Sequence, residues 1–223
     1  MNAFGETELG SVEGSVLHEM PAVFAGNKNF ALLCSENPPS RGANERETLQ
    51  HDEIKPMMKQ YGERAELEEL VVLIREIWRE FYTSLIGAAQ VEYMLEQFQS
   101  VEAMMRQIAE EDFRYYGVFC DGELAGYYAA KPCRNDGVFL SKFYVAARFR
   151  GRGLGKEMLR HLIDAARAAG ADAIRLTVNK HNPTVAIYRK LGFDITEEIV
   201  ADIGNGYVMD DYVMVKRIGP IVA

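Results

Sequence analysis

The chain has 223 residues, 48% apolar and 26% charged, enough for one full-sized domain with a substantial core and an extension. Its 33 acidic residues against 25 basic ones leave a net charge of −8, which argues against nucleic acid as a partner and suits a cationic one. No run of membrane-spanning length, no basic signal-peptide start, no C-x-x-C and no histidine cluster occur, so the expectation is a cytoplasmic protein with no membrane partner, no metal, and free thiols at Cys34, Cys120 and Cys133.

Residues 1–52 read as an N-terminal extension of unknown role. Apolar pieces at Pro21–Ala25 and Phe30–Cys34 could add a strand or cover a groove, and Ser35–Arg46 is a polar linker. A single domain is expected over 53–218. Glu53–Tyr61 suits a first strand. Leu67, Leu70, Val71, Ile74, Ile77, Trp78 and Phe81 then fall on one face of a helix, with Glu66, Glu68, Glu69, Arg75 and Glu80 opposite. A second helix carries Val91, Met94, Leu95 and Phe98; a third, capped by Ser100, carries Val101, Met104, Met105 and Ile108. Arg114–Cys120 and Glu123–Ala130 are β-rich arms around Asp121-Gly122, a pair suited to the two positive-φ positions of a type I′ turn. A strand at 138–145, a helix at 154–169 stopped by Gly170, an alternating strand at 173–179 and a short helix at 183–191 follow. Strands at about 193–202 and 207–216 close on Gly204-Asn205-Gly206. This order makes one α/β domain with helices on its sheet.

The turn before the 154–169 helix reads Arg150-Gly151-Arg152-Gly153-Leu154-Gly155-Lys156, and Arg148, Arg150, Arg152 and Lys156 place four cations within nine residues of an acidic chain. Strand, glycine turn and helix start make an anion seat: glycines let backbone approach a ligand, and the first helical N–H groups point outward. The P-loop pattern G-x-x-x-x-G-K-[ST] fails twice, since Arg150 replaces its first glycine and Glu157 its hydroxyl. The dinucleotide pattern G-x-G-x-x-G fails on spacing. A third pattern, [RQ]-x-x-G-x-[GA], is met by Arg150, Gly153 and Gly155. A solvated Gly/Arg turn is the plain alternative.

A second signature lies downstream, in Asn179-Lys180-His181-Asn182-Pro183, Tyr188 and Lys190-Leu191-Gly192-Phe193. Together the two segments resemble the GNAT superfamily of N-acetyltransferases over roughly residues 53–217. The resemblance implies a GNAT-like mixed, mostly antiparallel central sheet with helices on both faces. It implies acetyl-CoA as acetyl donor and a small-molecule primary amine, such as a polyamine or amino acid, as acceptor in a ternary complex. A protein or peptide acceptor and a non-catalytic acyl-CoA-binding module are the alternatives, and a homodimer is an open expectation. By that resemblance Tyr188 is the general acid for the departing thiolate. Backbone at Phe143, Tyr144 and Val145 takes the pantetheine arm and the acetyl carbonyl. Arg150, Gly151, Arg152, Gly153, Leu154 and Gly155 take the pyrophosphate. The family places an Asn seven residues before this Tyr; here His181 stands there and Asn182 lies one nearer, so Asn179 and Asn182 are both open as cofactor contacts.

Chemistry sets a further demand. An alkylammonium of pKa about 10.4 is neutral only about once in 2,500 molecules at pH 7, so a proton must leave before attack. Relatives often carry a Glu on the strand before the loop, but Ser141-Lys142-Phe143-Tyr144 holds no carboxylate. Glu92, Glu96 or a water chain could serve, though an exposed helix face is the favoured reading of Glu92 and Glu96.

Overall fold

The computed structural model describes residues 56–133 and 137–219. The extension, the expected strand start at 53–55 and Cys34 lie outside the described residues. In chain order the elements are β1 (Met57–Tyr61), α1 (Arg64–Ile86), α2 (Ala88–Gln99), α3 (Val101–Glu110), β2 (Arg114–Cys120), β3 (Glu123–Cys133) and β4 (Gly137–Val145). A 3-10 turn (Ala147–Phe149) leads to α4 (Leu154–Ala168), β5 (Ala173–Asn179), α5 (Val185–Lys190), β6 (Asp194–Gly204) and β7 (Tyr207–Arg217).

Local chemistry explains most of these boundaries. Nine side chains of α1 are buried, Trp78 and Leu67 among them, each contributing about 1.5–3 kcal/mol of gross burial. The Glu66 carboxylate closes the start of α1 by accepting from the N–H groups of Gly62 (3.0 Å) and Glu63 (3.1 Å). Ser100 caps α3 as expected, its Oγ accepting from Ala103 N at 3.3 Å. Asp121 and Gly122 take φ of 55° and 82°, the turn expected from Asp-Gly. Most ends differ from the sequence reading by a residue or two, and two of the differences have a visible cause. β3 runs on through Pro132 to Cys133, beyond the last β2 partner at Ala130, where a missing N–H costs least. α5 starts two residues late, because Asn182 holds Pro183 and Thr184 in a turn.

The seven strands form one sheet in the order β1-β2-β3-β4-β5-β7-β6, antiparallel except where β4 meets β5. That parallel ladder is short. Gly137, Val138 and Phe139 pair with Ala173, Ile174 and Arg175, and beyond them Leu140 to Val145 run on with no β5 partner. The pairing of β3 with β4 jumps past Ser141, a bulge that bends β4 where it leaves β5. The sheet therefore opens into a wedge at its middle.

Helices cover both faces, as expected. Trp78 of α1 meets Tyr144 (6.1 Å between centroids) and Lys142 Nζ donates to Gln107 of α3 (3.2 Å), so α1 and α3 share the face of Lys142 and Tyr144. On the other face, Tyr128 shares a 2.5 Å hydrogen bond with His161 of α4, and Lys216 Nζ donates to Leu191 O after α5 (2.8 Å). Following the registers, Thr177 and Asn179 of β5 and Asp211 and Val213 of β7 lie on the α1 face, while Val178 and Tyr212 lie on the α4 face.

Candidate active site

The wedge between β4 and β5 ends at the glycine turn. Gly151 and Gly153 both take φ 79°, in the left-handed region that a side chain resists, and Gly153 is the N-cap of α4. The amides of Gly151, Arg152, Gly153, Leu154 and Gly155 reach no acceptor among the described residues, whereas Lys156 and Glu157 donate back to Gly153 O at 2.9 and 3.3 Å. Five successive unpaired donors at the positive end of a 15-residue helix suit a polyanion. Beside them, Gly155 packs under Phe143, 3.9 Å from where a Cβ would stand.

The cations around this turn are mostly committed to the protein. Arg148 pairs with Glu76 (2.6 Å) and Arg152 with Asp121 (2.9 Å). Arg150 donates through Nε to Val145 O (3.1 Å) and lies 3.7 Å from Glu80, bracing the turn against the end of β4. Among the described residues Lys156 is the one of the four without an ion pair. The three arginines are thus balanced locally by α1 and the β2–β3 turn, which leaves the amides and Lys156 as the uncommitted groups among the described residues.

On the far side of the wedge stands Tyr188, buried in α5 with its ring edge-on to Phe193 at 5.5 Å. Its phenol acts electrostatically on those of Tyr82 and Tyr144, so α5 reaches across to the buried aromatic cluster of α1 and β4. In that cluster Tyr127 stacks on Tyr144 (5.0 Å) and Trp78 tilts against Tyr82 (4.6 Å). Burial raises the Tyr188 pKa above the ordinary phenol, which keeps its proton in place at neutral pH.

The two asparagines differ in what they have left to give. Asn179 is spent at both ends: Nδ2 donates to Asp210 O (3.0 Å), and Oδ1 accepts from His181 N (3.0 Å). Asn182 is 3% exposed; its Oδ1 accepts from the N–H and hydroxyl of Thr184 (2.9 and 2.7 Å), and its Nδ2 has no partner. Other buried polar atoms are also unmatched along the α1 face of β5 and β7. Thr177 Oγ1 and both oxygens of Asp211 meet no well-aligned donor, although Asp211 is wholly buried. Such orphans normally signal a missing partner. Asp211 and Thr177 escape sequence reading because Asp210-Asp211 looks like hairpin surface, and only the register with β5 turns Asp211 inward.

Neither helix carboxylate has the setting of a base. Glu92 is exposed and bound twice by Arg79 (2.7 and 2.9 Å), which holds its pKa below the usual carboxylate value. Glu96 lies on the exposed side of α2. Lys142 is buried among Gln107, Ser141 and the rings of Phe113 and Tyr115, and burial brings its pKa down to about 7.

Comparison with known proteins bears on the family and the fold. The model of the acetyltransferase (GNAT) family matches residues 71–193. The spermidine N(1)-acetyltransferase of Thermoplasma acidophilum is 24% identical over 150 residues, 65% of this chain and 90% of that protein. The streptothricin acetyltransferase of Streptomyces lavendulae is 36% identical over 81 residues, 35% of this chain; the match spans 43% of that protein. Among solved structures, the PaiA N-acetyltransferase of Thermoplasma acidophilum in complex with coenzyme A superposes with a TM-score of 0.59 at 21% identity, covering 72% of this chain and 99% of that one.

Proposed function

The chain belongs to the GNAT family of acetyltransferases, and from that premise we propose that it moves an acetyl group from acetyl-CoA to a primary amine of a small molecule by direct attack. The observation that carries this reading is the run of five unpaired amides from Gly151 to Gly155 at the mouth of the β4–β5 wedge. In it the pyrophosphate sits on those amides. The pantetheine arm enters the wedge as a surrogate strand, pairing with the Phe143–Val145 backbone that β5 leaves unpaired, and the Asn182 Nδ2 donates to one of its carbonyls. Names of relatives that act on spermidine and spermine support a small cationic amine as acceptor.

Residues of the chain supply the chemistry. Donors at the β4 edge face the thioester carbonyl and stabilise its oxyanion as the amine adds. Tyr188, kept protonated by burial, gives its proton to the sulfur as the C–S bond breaks, and recovers one from the nitrogen. The test pairs acetyl-CoA calorimetry with free-thiol release over a panel of polyamines, amino acids, aminoglycosides and short peptides, for wild type and Tyr188→Phe. Amine-dependent release that falls about 10²-fold or more in the variant, with acetyl-CoA affinity kept, is expected. Binding without turnover on any amine would make the protein an acyl-CoA-binding module; absence of binding would overturn the reading.

A further inference from the structure

A carboxylate in the interior of a protein is normally paired, and Asp211 is not. It is fully buried, neither oxygen meets a well-aligned hydrogen-bond donor among the described residues, and the Asn179 amide, turned to the Asp210 carbonyl, gives it only a weak opposing pull. Its place in the fold is specific. It stands on β7 opposite Asn179, the last residue of β5, from which the chain turns into α5 and Tyr188. It shares the α1 face with Tyr144 and with Thr177, whose hydroxyl is also unmatched. Beyond the same face, Tyr93 of α2 closes over the β6–β7 hairpin, donating to Ile203 O (2.8 Å) and packing on Tyr207 (5.4 Å). A buried carboxylate with no ion pair of its own is a seat for a cation.

We propose that Asp211 binds the ammonium of the acceptor and takes its proton, making this the base of the reaction and a positively charged alkylamine its substrate. This rests on the acetyl-transfer reading above and deepens it. The steps balance. The ammonium gives one proton to Asp211 and becomes a neutral amine, whose lone pair forms the N–C bond to the acetyl carbonyl. The C–S bond breaks, and the thiolate takes the Tyr188 proton. The phenolate then recovers the second nitrogen proton, and Asp211 returns the first to solvent as the products leave. The charges acting on Asp211 are Asp210 on its own strand and Lys180 just past β5. Lys180 is already held between Asp210 (2.6 Å) and Glu198 of β6 (2.8 Å), while Arg175 and Glu197, further along the face, pair with one another. Burial first, then repulsion from Asp210, raises the Asp211 pKa to about 7, against the opposing pull of Asn179 and Lys180. A carboxylate there is basic enough to take a proton near neutrality.

The experiment measures kcat/KM for spermidine and n-butylamine, and for methoxyamine, whose nitrogen is neutral at pH 7. It compares wild type, Asp211→Asn and Asp211→Glu from pH 6 to 10, with acetyl-CoA affinity measured for each. Asp211→Asn is expected to bind acetyl-CoA as wild type does and to lose about 10²-fold or more on the alkylamines at pH 7. That loss should shrink as pH rises toward the amine pKa, methoxyamine should lose far less, and Asp211→Glu should recover part of the rate. Equal losses on charged and neutral amines, or an unchanged alkylamine profile, would overturn the assignment to Asp211 while leaving acetyl transfer standing. A wild type that binds acetyl-CoA yet acetylates no amine would overturn both.

Discussion

Single residues at the wedge divide cleanly between those that serve the backbone and those left with something to offer a ligand. Gly153 belongs to the first group. Replacing it with Ala puts a side chain at φ 79°, which costs about 1–2 kcal/mol and tilts the amides beside it. Gly153→Ala is therefore expected to lower the denaturant midpoint and weaken acetyl-CoA binding together, whereas Arg152→Ala, which removes an exposed pair with Asp121, should change the affinity little. The sequence text made the glycines, Tyr188 and Asn182 visible because each sits in a fixed spacing. It hid the fates of Arg148, Arg150 and Arg152, whose partners Glu76, Glu80 and Asp121 lie far off in the chain. It also hid Asp211, since burial of an acid follows from strand register and not from neighbours in sequence.

Elements were legible where a periodic pattern met a stop signal. α1, α3, the Asp121-Gly122 hairpin and β5 followed from apolar spacing and turn chemistry, and their observed ends agree to within a few residues. What no pattern showed is where the β4–β5 ladder stops, because that depends on the bulge at Ser141 and on the packing of both faces. The start of α1 gives a direct test at this scale. Hydrogen bonds from Gly62 N–H, then Lys59 and then Glu63 N–H, hold the Glu66 pKa at about 2, below its unfolded value of 4.5. The folded carboxylate thus stabilises the chain above pH 4.5 and loses that contribution as pH falls toward 2. Glu66→Gln should lower stability by about 1 kcal/mol at pH 7, with the gap closing below pH 4 in urea titrations.

Across the whole molecule, two buried groups act on stability in opposite pH windows. Asp211 is more basic folded than unfolded, about 7 against 3.8, so the native state binds more protons and stability falls as pH rises through that interval. Lys142 is less basic folded than unfolded, about 7 against 10.5, so stability rises with pH through its own interval. Their penalties coincide near pH 7. Asp211→Asn is expected to raise Tm by several degrees at pH 7 and by almost nothing at pH 4, and Lys142→Met to raise it at pH 7 but little at pH 10. Scanning calorimetry of the ligand-free protein across that range would show both, and a flat difference at either position would contradict the assignment. A protein that is less stable for holding an unpaired acid, yet holds it, keeps it for use.

The three-residue ladder between β4 and β5 also has a mechanical consequence. It is the seam between a meander of β1 to β4 and a second block of β5 to β7, and little backbone hydrogen bonding sews the two together there. A ligand lying in that seam acts as a stitch. Amides of Leu140–Val145 on the open edge should exchange with deuterium quickly in the free protein and slowly with coenzyme A present. Saturation at 100 times Kd would add about 2.7 kcal/mol to resistance against unfolding. If the gap admits the acetyl donor as proposed, the stability of the folded chain follows the supply of that donor.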